Sequence, residues 1–138
     1  MINGKEFIQL VKEHYSFLMT EFSYIVIEEK IRGNAFYEVR FQNSDNVISI
    51  SYESIVDYLS ILIYLLVNNA LPDYDDPIHT LHLNKLNLLL LPKISKRDIE
   101  QNKNYFGNKL SSSKLEYRLL KSAAELRLYL KYGDLLPH

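Results

Sequence analysis

Phe36-Tyr37-Glu38-Val39-Arg40-Phe41-Gln42, then Asn43-Ser44-Asp45-Asn46, then Val47-Ile48-Ser49-Ile50-Ser51-Tyr52: the reading of these residues decides the fold. Both arms alternate with period two. Tyr37, Val39 and Phe41 fall on one side with Ile48, Ile50 and Tyr52. Phe36, Glu38, Arg40 and Gln42 fall on the other with Val47, Ser49 and Ser51. The pattern predicts two antiparallel strands with one apolar face and one face open to water. After Glu53 and Ser54 the chain runs almost wholly apolar from Tyr58 to Leu66. Periodicity does not separate strand from helix in so short a run. Ile61, Ile63 and Tyr64, following strand-turn-strand, favour a fourth strand. Both its faces are apolar, so C-terminal helices or another subunit should cover it. If 55–67 is helical instead, the sheet keeps three strands.

Upstream, Ser23 to Ile31 is rich in β-branched residues and reads as a first strand, closed by the turn Arg32-Gly33-Asn34. Asn3 and Glu6 have capping-box spacing, and a helix is expected from there to about Thr20. Its apolar arc holds Phe7, Val11, His14, Leu18 and their neighbours, with Lys12, Glu13 and Ser16 opposite.

Downstream, Asn68 to Asp76 is turn-rich. Asp76 followed by Pro77 predicts a helix over 77–90. Ser95 with Asp98 starts another, stopped by Gly107-Asn108 near Phe106. Ser112 or Ser113 starts a last helix that runs to Tyr132 and ends at Gly133. One stripe of it is Leu115, Leu119, Ala123, Leu126 and Leu130; a second is Tyr117, Ala124 and Leu128. Two stripes imply two contacted surfaces, the second being a neighbouring helix or a partner chain. The expectation is a single α+β domain over 1–138: an N-terminal helix, an antiparallel β-meander of three to four strands, and a helical C-terminal half packed on the sheet.

Composition excludes more chemistry than it suggests. With no cysteine there is no disulfide, thiol nucleophile or cysteine-based zinc site, and the cytoplasm is the expected location. The opening Met1-Ile2-Asn3-Gly4-Lys5-Glu6 lacks a signal-peptide pattern. The run Leu59 to Val67 is far too short to cross a membrane. The four glycines, at 4, 33, 107 and 133, build no phosphate loop. His14 reads as a core histidine. Asp73, Asp75, Asp76, His79 and His82 are the densest potential metal ligands, but their spacing matches neither a helical zinc motif nor a calcium loop. A polar loop with a helix cap explains them as well, so no catalytic residue, cofactor or metal is assigned. Net charge is −1, with five Lys/Arg against nine Asp/Glu in 1–69 and eleven against eight in 70–138. Lys93–Lys131 holds ten basic side chains and four acidic ones, either a basic patch or a solvated helix face. Tyrosine, eleven of 138 residues, suits binding surfaces because it buries area and keeps a polar handle.

Tyr37-Glu38-Val39-Arg40-Phe41, Val47-Ile48-Ser49-Ile50-Ser51-Tyr52-Glu53 and Leu119-Leu120-Lys121-Ser122-Ala123-Ala124-Glu125-Leu126, in this layout, resemble small bacterial proteins of the immunity type, which neutralise polymorphic or contact-dependent toxins. The resemblance implies a non-enzymatic cytoplasmic binder that docks on a toxin domain and blocks its active site. It carries over no functional residues. A basic nuclease toxin would prefer an acidic surface, which Glu28, Glu29, Glu38, Asp45, Glu53 and Asp57 could supply; the basic C-terminal region argues mildly against that class. The wet sheet face, with Glu28, Glu38, Arg40, Gln42, Ser49 and Ser51, is where a partner is expected. Two other readings stand beside this one. One is a small-molecule binder or enzyme with a pocket between the sheet and the C-terminal helices. The other is a nucleic-acid-associated protein using 93–131. A homodimer through the fourth strand or the last helix is compatible with all three.

Overall fold

Among the residues described by the computed structural model, 2–107 and 111–137, five strands form one antiparallel sheet. They are β1 (Ile25–Arg32), β2 (Phe36–Gln42), β3 (Asn46–Glu53), β4 (Tyr58–Leu65) and β5 (Thr80–His82), and each pairs with its neighbour in sequence. The chain divides into two compact units, Met1–His82 and Leu83–His138.

The first unit follows from the alternation in β2 and β3. Tyr37 faces Tyr52, Val39 faces Ile50 and Phe41 faces Ile48, and all six are buried. Helix α1 (Gly4–His14) lies on this side. Its capping box is complete: the Asn3 side chain accepts from the Glu6 N–H at 2.9 Å, and Glu6 accepts from the Asn3 N–H. Phe7 is fully buried, with ring centroids 5.8 Å from Tyr37 and 6.0 Å from Tyr52. Gly4 permits the close start of the helix, since a Cβ there would come within 2.8 Å of the Ile31 side chain.

Three expectations about local structure need correction. The N-terminal helix is interrupted at Tyr15 and Ser16 and resumes as α2 (Phe17–Phe22). Tyr15, Phe17 and Leu18 are all buried, yet Tyr15 and Phe17 would lie about 160° apart on a straight helix. The break lets both face inward, with centroids 6.0 Å apart. The helix expected over 77–90 begins only at Leu83, as α3 (Leu83–Leu90). Asp76 does accept from the N–H groups of Ile78 and His79, both at 2.9 Å. The chain then extends, pairing Thr80 with Tyr64, Leu81 with Ile63 and His82 with Leu62. The edge of β4 offers backbone groups that need partners, and Thr and His are weak helix formers. The third correction concerns the sheet face expected to be wet: Glu38 and Ser49 are buried, at 4% and 2% exposure.

The fourth strand is present, and β5 makes it an interior one. Its outer side chains Leu62 and Tyr64 cluster with Val47 and Leu66. The 66–79 segment folds back here: the Thr80 hydroxyl donates to the Asp73 carbonyl at 2.6 Å, and the Tyr74 ring meets His82 edge-on at 6.2 Å.

The second unit is helical. After α3 come a 3-10 turn (Leu91–Lys93), α4 (Lys96–Phe106) and α5 (Lys114–Tyr132). Ser95 caps α4 by accepting from the Asp98 N–H, and Ser113 caps α5 by accepting from the Glu116 N–H, each at 3.1 Å. Gly107, at φ +66°, ends α4; Asn108 lies outside the described residues. Leu128, from the second stripe of α5, packs with Leu90 and Ile94, whereas Tyr117 of the same stripe is exposed. Asn102 ties α4 to α5, donating to the Ala124 carbonyl at 2.9 Å and accepting from Arg127 at 2.8 Å. Among the described residues no helix is long and apolar enough to cross a membrane.

Candidate functional site

The outer face of the sheet gathers the polar residues singled out by alternation. Glu38 lies opposite Ser51, Arg40 opposite Ser49 and Gln42 opposite Val47. Ser51 and Ser49 lie opposite Ser60 and Leu62 on β4. Glu28 and Lys30 join them from β1, opposite Arg40 and Glu38. All six expected partner-binding residues therefore share one face.

A single extra residue in β1 sets the charges on this face. Val26 pairs with Phe41, but the next pair is Glu28 with Arg40, which leaves Ile27 as a bulge. Continued without the bulge, the register would set Ile27 against Arg40 and Glu29 against Glu38. The bulge places Lys30 opposite Glu38 and turns Glu29 to the other face, where Lys12 of α1 meets it at 2.9 Å. One inserted residue thus replaces a carboxylate pair by two ion pairs.

Glu38 is the hub. Its Oε2 accepts from the Ser49 hydroxyl at 2.5 Å and from the Arg40 Nε–H at 3.0 Å. Lys30 Nζ lies 3.7 Å from its Oε1 and 3.3 Å from Glu28 Oε1. The Lys30–Glu28 contact is an ion pair without hydrogen-bond geometry, since Glu28 Oε1 is buried and accepts no hydrogen bond. Burial by itself would lower the pKa of Arg40, but its hydrogen bond to Glu38 and that residue's charge outweigh this, and Arg40 is held above its ordinary value. The Arg40 guanidinium lies 5.8 Å from the Tyr64 ring centroid. Burial raises the pKa of the Tyr64 hydroxyl, with Arg40 opposing. Around these groups is a depression of about 330 Å³, bordered also by Ser51, Ser60 and the exposed ring of Tyr74.

Alternation alone identified Glu38, Arg40, Ser49 and Ser51. Lys30 escaped notice because its placement depends on the bulge. Tyr74 escaped because it comes from a loop whose sequence carries only turn signals. The acidic set proposed for a basic partner does not form one surface: Glu29 is on the helix side paired with Lys12, Glu38 is buried, and Asp57 accepts from the Tyr52 hydroxyl at 2.6 Å.

The other expected sites resolve differently. Asp76 and His79 pair locally, Oδ2 to Nδ1 at 2.9 Å. The backbone N–H groups of His79 and Ile78 hold the Asp76 carboxyl below its ordinary pKa, with the His79 side chain adding to them. Among the described residues no three His, Asp or Glu side chains converge to hold a metal ion. His14 is buried on the inner side of α1. Within the basic stretch, Arg127 is buried, bonds to Asn102 and lies 3.9 Å from the Tyr105 ring centroid. It braces two helices and is not part of a basic surface.

The second unit holds a larger cleft, about 840 Å³, lined by Leu91, Ile99, Leu120 and Leu128 together with Asn87 and Glu125. Asn87 donates to Glu125 Oε2 at 2.7 Å. Burial raises the pKa of the Glu125 carboxyl, while Lys121 and Asn87 oppose the rise. A carboxyl with a raised folded pKa binds protons more readily when folded, so the cost of its charge is absent below the unfolded value and fully present above the folded one. Glu125→Gln is therefore expected to raise the urea midpoint at pH 7, with the gap closing towards pH 4. A gap independent of pH would show that Glu125 carries no such cost.

No protein-family model, curated protein or solved structure matches the chain.

Proposed function

We propose that this chain is a non-enzymatic protein-binding module that receives its partner on the outer face of the sheet. In this reading the partner is a bacterial toxin domain, which the chain neutralises in the cytoplasm as an immunity protein does. The observation that carries the reading is the ion-pair cluster on that face, assembled and partly desolvated before any partner arrives. Such a cluster needs no reordering on docking, which lowers the entropic cost of association. Tyrosine and arginine, prominent here as Tyr64, Tyr74 and Arg40, are also the residue types that dominate binding hot spots. The immunity role itself rests on the resemblance in sequence layout.

The direct test is co-expression with the product of the adjacent upstream gene. A co-purifying complex and protection of the host cell are expected. Substituting Arg40→Gln should weaken the complex about 30-fold, or about 2 kcal/mol, with little change in the folded spectrum. If neither complex nor protection is found, the toxin reading fails.

A second reading, small-molecule binding, draws on the cleft in the second unit, whose volume suits a ligand. A fragment screen by amide chemical shifts should then give hits confined to α3, α4 and α5. Hits scattered over the surface, or none, would remove this reading.

A further inference from the structure

The geometry points to an acidic side chain of the protein partner, seated on Arg40 and flanked by an aromatic or apolar residue, as the group that the outer face recognises. This rests on the reading of that face as a protein-docking surface and specifies what the partner must present.

Three observations carry the inference. The first is the state of Arg40. Its Nε–H is committed to Glu38, whereas its two terminal amino groups make no hydrogen bond among the described residues. The guanidinium is thus held from behind, and its side chain keeps 24% exposure. A planar fork fixed in this way suits a carboxylate bound through two parallel hydrogen bonds, and its second edge is unspent.

The second observation is the supply of further donors. Ser51 and Ser60 face each other across β3 and β4. Neither hydroxyl has a hydrogen-bond partner among the described residues. Both border the same depression as Arg40.

The third is the balance of charge. Lys30, Arg32 and Arg40 border the depression against Glu38 and Glu53. Glu38 is almost fully buried and already engaged by Arg40 and Ser49. Glu28 also stands 3.3 Å from Lys30 and 3.9 Å from Arg40 Nε, so the charges are balanced in number, and what the face offers an incoming carboxylate is the pair of uncommitted terminal amino groups on Arg40.

The depression measures about 330 Å³, at the lower end of the range of about 300–1,000 Å³ for ligand pockets. It suits one protruding side chain with a neighbour against Tyr64 or Tyr74. A basic partner surface, expected from the acidic count of the first 69 residues, would set its charge against Arg40 and Lys30.

The test uses the full chain and two capped dipeptides, N-acetyl-Phe-Glu-amide and N-acetyl-Phe-Gln-amide, followed by the ¹⁵Nε–H resonance of Arg40. The Glu peptide should shift this resonance saturably at millimolar concentration, and the Gln peptide at least tenfold more weakly. Arg40→Lys, which keeps the charge and loses the fork, should weaken the Glu peptide about tenfold. Should Arg40→Lys disturb the fold, Ser51→Ala is the second variant, expected to weaken the Glu peptide two- to fivefold. Equal response to both peptides, or no movement of the Arg40 resonance, overturns the inference. Because the readout needs no toxin, a positive result with no complex in the co-expression assay would leave the carboxylate site standing and remove only the immunity role.

Discussion

Phe7→Ala should destabilise the first unit by about 3–5 kcal/mol, the range for an aromatic ring removed from a packed interior. Phe7 has no exposed surface and contacts both Tyr37 and Tyr52. Truncation leaves a void at the point where α1 meets the centre of the sheet. Backbone capping holds the start of α1 in place, so the helix has little freedom to collapse into that void. Small domains hold about 5–15 kcal/mol in total, and a loss of this size should bring the urea midpoint down by about a fifth or more. Ile55→Ala is the control: Ile55, in the same unit, is 83% exposed and its loss should cost under about 0.5 kcal/mol. Urea unfolding followed by the dispersed amide signals of β2 and β3 would measure both. A Phe7→Ala cost below about 1 kcal/mol would mean that α1 does not clamp the sheet.

Glu38→Ala carries the second large effect, a loss of about 2–3 kcal/mol. The Ser49 hydroxyl and the Arg40 Nε–H would lose their acceptor together, and Lys30 would lose one of its two carboxylates. Breaking a fully buried charge pair costs about 3–5 kcal/mol. The figure here is lower because Arg40 and Lys30 keep 24% and 30% of their side-chain surface, so water can partly replace the missing carboxylate. Lys30→Ala should cost less than about 1 kcal/mol, as exposed ion pairs do. A double-mutant cycle between Glu38 and Arg40 would isolate their coupling. Should Glu38→Ala prove as mild as Lys30→Ala, the hub role of Glu38 would have to be abandoned.

How much of this was legible in the sequence depends on the range of the forces involved. β2 and β3 were readable because alternation is a local pattern with a direct meaning in a pleated strand. The caps at Asn3, Ser95 and Ser113 were readable because each is a contact three residues long. The strand over Tyr58–Leu65 followed from its β-branched residues and its neighbours. β5 was not readable, because Asp76-Pro77 is a sound local helix signal and the competing partner strand, Leu62 to Tyr64, pairs with Thr80 to His82 across the whole intervening loop. Nor was the break at Ser16, which serves the burial of two aromatic rings on opposite sides of one helix. At the candidate site the same division holds. Alternation placed Glu38, Arg40, Ser49 and Ser51 on one face but could not show that Glu38 is sealed beneath its neighbours. Nor could it place Lys30 3.7 Å from Glu38, a position set by the bulge at Ile27. Ile27 itself carries no glycine, proline or turn residue to announce a bulge.

The pairing of every strand with its neighbour in sequence bears on how the protein is made. Each of the first three hairpins closes over a connection of three or four residues, so no pairing there waits for a distant partner, and topologies of this kind fold quickly. All five strands and α1 lie within the first 82 residues. A ribosome adds about 5–20 residues each second, so synthesis of the second unit, Leu83–His138, occupies several further seconds. The sheet and its charged outer face can therefore be complete, and ready to meet a partner, while the helices that follow are still being synthesised.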